Sequence, residues 1–193
     1  MRRHIPRGLD RTRQVRTNRT PLRTVVLCTT VATLTVLGHA TTATADSRGN
    51  SSVDNKEIRW EDETKFDDAR KWAHTAWNNK KYNLTTIKIA PDEWDTITDL
   101  EWRDENRSDV KWVGAWGGLP GADRIYLNKH FLDNGKKYGK KGWRRKAAAH
   151  ELGHALGLSH KVNGTLMSKT IGYIPGNARP TSTDRKAYHD LWD

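Results

Sequence analysis

The sequence predicts an α/β or α+β domain, and three observations carry that reading. Apolar spacing switches along the chain between the strand and helix periods, in the order strand, helix, strands, helix, helix. All nine tryptophans lie in residues 46–193, enough bulky apolar surface for the core of one domain. No internal repeat is present, so the chain is not read as a solenoid or a propeller.

The first 45 residues are set apart by composition. They hold eight of the 34 Lys and Arg and only one acid, Asp10. A basic stretch is followed by TVVLCTTVATLTVL, residues 24–37, which is free of charge, and then by Ala43-Thr44-Ala45. This is the layout of a secretory signal peptide cut after Ala45. Fourteen uncharged residues fall short of the roughly 20 that span a bilayer. The rest carries 26 basic and 22 acidic residues, a net of +4 against +11 for the whole chain. That is a mildly basic surface, not a nucleic-acid-binding tail. The only cysteine is Cys28, so the later residues have no disulfide, no Cys-ligated zinc and no thiol nucleophile.

From Asp46 to Asn55 the chain is polar and reads as loose. Ile58 and Trp60 alternate with charged neighbours, as in a half-buried strand. Thr64 is placed to cap a helix running to about Asn79, with Asp67 and Asp68 in its first turn. Phe66, Ala69, Ala73, Ala76 and Trp77 share one helical face. Strands are expected at Thr85–Ala90, stopped by Pro91, and at Ile97–Trp102; Asp104–Asp109 reads as a charged loop. Val110–Trp116 is strand-like and ends at Gly117-Gly118-Leu119-Pro120-Gly121, while RIYLN, residues 124–128, is a short strong strand. Trp143–Leu156 reads as a helix ended by Gly157, and a last helix begins near Thr183.

The chemistry sits in residues 150–160, HELGHALGLSH. On a helix His150 and His154 are one turn apart and about 40° apart around the axis, so both imidazoles can grip one metal ion. Glu151 can reach a water on that metal. Gly157 can adopt the left-handed geometry that ends a helix and turns the chain, which would swing His160 back to the same ion. Three neutral imidazoles and one water make the open tetrahedral site of catalytic zinc. Five fixed positions in eleven coincide by chance in roughly one chain of this length in 10⁴. A buried helix with merely structural histidines is disfavoured, because burying them beside a glutamate without a metal is costly.

The string resembles the extended zinc signature of the metzincin metallopeptidases, H-E-x-x-H-x-x-G-x-x-H, and within them the matrixins and small secreted bacterial zinc proteases. RIYLN, AAAHELGHALGL, NGTLMS with Met167, and PTSTDRKAYHDLW occur in matrixin order. The resemblance implies a twisted, mostly parallel sheet with an antiparallel edge strand, backing helices, an active-site helix and a substrate cleft along the edge. It implies Zn²⁺ held by His150, His154 and His160, Glu151 as the catalytic base, and Met167 as a hydrophobic floor. The chain departs from the family in three respects. No cysteine follows residue 45 to mask the zinc, Lys169 stands where an astacin-type tyrosine ligand would be, and Tyr173 and Pro175 lie late for the usual specificity wall.

The expected organisation is therefore a signal peptide at 1–45, a flexible segment at 46–57 and a metzincin-like catalytic domain at 58–193. The expected protein is a monomeric, secreted zinc endopeptidase acting on extracellular proteins, with no nucleic-acid partner and no membrane attachment after cleavage. The edge strand expected to receive an extended peptide is Val113–Gly118, VGAWGG. Residues 135–146, GKKYGKKGWRRK, oppose the dipole of the helix they precede. They read either as a contact for an acidic polymer or as a solvated loop balanced by carboxylates. Asp104, Glu105, Asp109 and Asp123 could serve Ca²⁺, as in family members, although no ligand spacing requires it. The competing reading is a secreted metal-containing binding protein that holds cell-wall polymer or polysaccharide on a tryptophan-rich surface. Glu151 argues against it, since a binding module needs no base.

Overall fold

The computed structural model describes residues 45–118 and 120–193. The leader reading, with Cys28, falls on residues 1–44, outside them. Five strands form one mixed sheet: β1 (Glu57–Glu63), β2 (Lys88–Pro91), β3 (Leu100–Glu105), β4 (Gly114–Gly117) and β5 (Asp123–Asn128). Their order is β2-β1-β3-β5-β4. The β1–β2, β1–β3 and β3–β5 pairs are parallel, and β4 closes one edge antiparallel to β5. The resemblance implied this mostly parallel sheet with one antiparallel edge.

Alternation along the strands decides which face is buried. Ile58, Leu100, Trp102, Ile125 and Leu127 point to one side and are fully buried. Helices α1 (Asp67–Trp77) and α3 (Lys141–Ala155) pack there. They meet through Ala69, Ala73 and Trp77 on α1 and Ala147–Ala149 on α3, where the alanines let the backbones approach closely. The Trp77 indole donates to the Ala149 carbonyl at 2.7 Å. The Arg145 guanidinium pairs both oxygens of Asp68 at 2.8 Å, which holds that carboxyl down to about 2. The opposite face carries charge: Glu101 accepts from Arg103 at 2.7 Å and from Arg124 at 2.6 Å.

Several boundaries differ from the sequence pattern for identifiable reasons. Thr64 does not cap α1, whose N-cap is Phe66; its hydroxyl accepts from the Phe66 N–H and donates to Asp104. The second strand keeps only Lys88–Pro91, because the Ile87 N–H is taken by the Tyr188 hydroxyl at 2.9 Å. Strand β3 starts three residues late and runs into the expected charged loop; Thr96 and Thr98 bond Asp92 and fold residues 92–98 into a turn. Three short helical segments, α2 (Lys129–Leu132) and single turns at Lys80–Tyr82 and Ile171–Tyr173, have no periodic signal. Helix α4 (Ser182–Trp192) starts where expected, with a Thr181–Asp184 capping box.

Residues 46–57 are not loose. The Ser47 and Ser52 N–H groups donate to Gly157 and Ala155 carbonyls at 2.9 and 2.8 Å, groups that the end of α3 leaves without helical partners. Ser52 is buried, donates to Asp123 at 2.7 Å and accepts from the Trp116 indole at 2.9 Å. Backbone and hydroxyl bonds order this strap, and an apolar pattern does not reveal such bonds.

Candidate active site

Helix α3 carries His150 and His154 on one face, one turn apart. It ends in a motif that only a left-handed residue completes. Gly157 has φ +82°, its N–H donates to the His154 carbonyl at 2.8 Å, and the Leu158 N–H donates to the Gly153 carbonyl at 3.0 Å. A Cβ at 157 would also stand 2.5 Å from the Ser47 carbonyl oxygen. The chain then reverses and returns His160 to the helix.

The three imidazoles converge. His154 Nε2 lies 3.1 Å from His150 Nε2 and 3.3 Å from His160 Nε2, and the candidate ligand atoms of all three fall within 4.8 Å of one another. Nitrogens bound tetrahedrally at about 2.05 Å would be roughly 3.3 Å apart, so the cluster fits zinc. His150 Nδ1 meets the Leu166 carbonyl at 2.8 Å and His154 Nδ1 meets the Leu158 carbonyl at 2.7 Å, which leaves each Nε2 free to ligate. Burial pushes His150 down to about 4 and His154 well below its ordinary value. His160 is also lowered, first by burial and then by the Lys169 charge. All three are therefore neutral at pH 7, the ligating form.

Glu151 is buried against the edge strand. A Cβ at Gly114 would stand 2.9 Å from both its Cγ and its Oε1. Burial raises its carboxyl to about 8, and the Trp116 backbone N–H acts the other way. Gly114, in the VGAWGG strand expected to receive an extended peptide, makes room for this carboxylate.

The residues matched by the matrixin peptidase family model are 32–193, which include every element described above. The chain belongs to the matrixin family, the zinc endopeptidases. No curated protein is significantly similar to the sequence. Among solved structures, this matrixin is similar to a chain of the GM1-bound form of the ECX AB5 holotoxin. The identity is 16%, the TM-score 0.47, and 76% of this chain and 84% of that one are covered. It is also similar to archaemetzincin from Archaeoglobus fulgidus complexed with malonate. Here the identity is 15% and the TM-score 0.38, over 68% of this chain and 98% of that one.

The matrixin's methionine turn lies under the helix. Met167 is fully buried, and a Cβ at Gly153 would stand 2.3 Å from its Sδ. The buried Asp184 carboxylate accepts from the Leu166 and Met167 N–H groups at 2.8 and 3.1 Å. Neither Gly153 nor Asp184 was singled out in the sequence. A glycine inside a helix costs about 1 kcal/mol against alanine, which is a readable sign of close approach. The T-x-x-D spacing of Thr181 and Asp184 was readable as a cap, though not as an anchor for the turn. Among the described residues, His150, His154 and His160 form the only His/Cys/Asp/Glu cluster with metal-ligand spacing. Of the four carboxylates named for calcium, Asp104 takes Thr64, Asp109 takes Arg107 and Asp123 takes Ser52.

Proposed function

We propose that this matrixin is a secreted, monomeric endopeptidase in which His150, His154 and His160 hold one zinc ion and Glu151 is the general base. The observation that carries the reading is the convergence of three neutral imidazoles within 4.8 Å, with a buried carboxylate on the next residue of the same helix. Zinc bound there supplies a Lewis acid for the scissile carbonyl and lowers the pKa of water to about 7. Glu151 takes the proton from the attacking water on its carboxylate and delivers it to the leaving amine nitrogen. Without metal, burial holds this carboxyl up at about 8; a zinc ion beside it would favour the carboxylate, the form that accepts the proton. An extended peptide adds to the free edge of β4 through backbone hydrogen bonds, and burial of Glu151 beside Gly114 puts the base at that edge.

Secretion rests on the leader pattern of residues 1–45, with cleavage after Ala45. No helix among the described residues is long and apolar enough to cross a membrane. Within residues 135–146, Arg145 and Lys141 pair with Asp68, Arg144 donates to the Leu132 carbonyl, and Lys146 is buried against Trp143. That favours the structural reading of this stretch over an acidic-polymer contact. The binding-protein reading needs a tryptophan platform, yet Trp77, Trp102 and Trp192 are in the core and only Trp94 is fully exposed. Calcium has no part in this proposal.

Glu151→Gln is expected to keep zinc and lose nearly all cleavage of casein or gelatin. Wild-type turnover by that variant would remove Glu151 as the base. Treatment with o-phenanthroline is expected to abolish cleavage, and persistent hydrolysis by zinc-free protein would refute a metal-dependent reaction. N-terminal sequencing of protein recovered from the medium should begin at or near Asp46.

A further inference from the structure

His150 and His154 are oriented through their rings, because each Nδ1 meets a backbone carbonyl. His160 has no such ring partner among the described residues. The backbone that carries it must therefore set where its Nε2 points. A single carboxylate holds the residues on both sides of His160, Ser159 by its backbone and hydroxyl and Lys161 by its side-chain ammonium. Asp46 Oδ1 accepts from the Ser159 N–H at 2.8 Å and from the Ser159 hydroxyl at 2.9 Å. Both Asp46 oxygens accept from Lys161 Nζ at 2.6 Å. The pair is sheltered, with 19% of the lysine and 25% of the aspartate side chain exposed. Beyond it, the Lys161 N–H donates to the Met167 carbonyl at 2.8 Å. Asp46 is itself anchored, since the next residue donates its N–H to the Gly157 carbonyl.

We propose that Asp46 is a positioning residue for His160: it holds the third imidazole in its ligating place and so sets how tightly the chain keeps zinc. The inference rests on the three-histidine zinc reading above. It adds a group 113 residues upstream of the loop it grips. Charge-assisted bonds to both neighbours of a ligand restrict its backbone more than neutral bonds would. Partners one step removed from a metal ligand change affinity by about 10–100-fold when deleted.

The test is zinc affinity of the protein purified from the medium, measured by competition with a chromophoric chelator. Asp46→Ala is expected to weaken zinc about 10–100-fold. Asp46→Asn should weaken it less, since its amide oxygen still accepts from Ser159. Arg48→Ala frees the same strap from the Leu191 carbonyl and the Trp192 ring. It should leave affinity within about twofold, the difference a positioning role requires and a general loosening does not produce. The proposal is overturned if Asp46→Ala binds zinc like wild type, or if Arg48→Ala weakens it equally. If Asp46→Ala does not fold, Asp46→Asn decides: weakening supports the proposal and wild-type affinity overturns it. His160→Ala separates the two readings. If it leaves affinity unchanged, or if wild type binds no zinc, the triad fails and this proposal fails with it.

Discussion

Gly114→Ala is the sharpest probe of the proposed base. The added methyl would lie 2.9 Å from Glu151 Cγ and Oε1 and 3.2 Å from Cδ, where ordinary contact begins at 3.4 Å. Either the carboxylate or the edge strand must therefore withdraw by at least about 0.5 Å. The carboxylate has little room, because it is buried and its neighbour His150 is pinned to the Leu166 carbonyl. The strand is held to β5 by its ladder. A misplacement of about 1 Å at a reacting group can cost 10²-fold, so kcat/KM should fall about 30- to 100-fold, or roughly 2–2.7 kcal/mol. The three atoms nearest this methyl position all belong to Glu151 and none to a ligating imidazole, so zinc content should stay at one per chain. Gly117→Ala on the same strand is the control, since nothing lies within 4 Å of its Cβ, and turnover should stay within about threefold of wild type. The assay is hydrolysis of a quenched fluorescent peptide with metal analysis of the same samples. Full activity of zinc-loaded Gly114→Ala would refute the placement of Glu151. An equal loss in Gly117→Ala would assign the effect to the strand edge and not to the base.

Two further outcomes follow from the same packing. Gly153→Ala drives a methyl to 2.3 Å from Met167 Sδ and 3.0 Å from the Trp77 ring, so it should lower stability to urea by about 1–3 kcal/mol and release zinc faster; an unchanged midpoint would mean that the methionine turn is not packed on α3. In zinc-free protein the buried Glu151, at about 8 against its ordinary 4.5, keeps a proton that the unfolded chain has lost, so stability should fall as pH rises from 4.5 to 8. His150, lowered to about 4, opposes this between pH 4 and 6.5, where the unfolded chain is the one that binds the extra proton. Above pH 6.5 the decline should therefore stand alone, at most about 2 kcal/mol by pH 8, and Glu151→Gln should flatten it. Equal slopes in the two proteins by urea titration would count against the burial of a protonated Glu151.

What could be read in the sequence depended on the range of the interaction. The metal cluster was legible because its geometry is local: His150 and His154 are fixed by helical pitch, and His160 follows one glycine-mediated reversal. Strand β1 was legible because Ile58 and Trp60 alternate with charged residues, and β5 because RIYLN gathers β-branched, aromatic and aliphatic side chains in a short run. The start of β3 was not, because apolar Ile97 sits exposed at 85% on a turn braced by side-chain bonds to Asp92, and hydropathy cannot separate such a residue from a core one. The hydrogen bonds of the strap at 46–57 were illegible for a related reason. Its order comes from α3 carbonyls and from charges more than a hundred residues away, and a polar composition carries no trace of either.

These long-range supports explain why the fold surrounds so small a ligand set with so much structure. Only two of the three imidazoles belong to α3, so the helix alone cannot complete the site. The Leu166 carbonyl that orients His150 belongs to a turn whose N–H groups are held by Asp184, and that carboxylate also accepts from the Thr181 N–H at 2.8 Å and its hydroxyl at 2.7 Å. One buried carboxylate thus ties the start of α4 to the ring orientation of a ligand on α3. On the other flank, Asp46 ties the strap to the loop that carries His160. Each support fixes backbone, and each reaches a different imidazole. Without covalent cross-links after residue 45, buried charge-assisted bonds from separate segments must do the holding that a disulfide could have done. The metal geometry should therefore be lost in parts, one ligand at a time, before the domain unfolds as a whole.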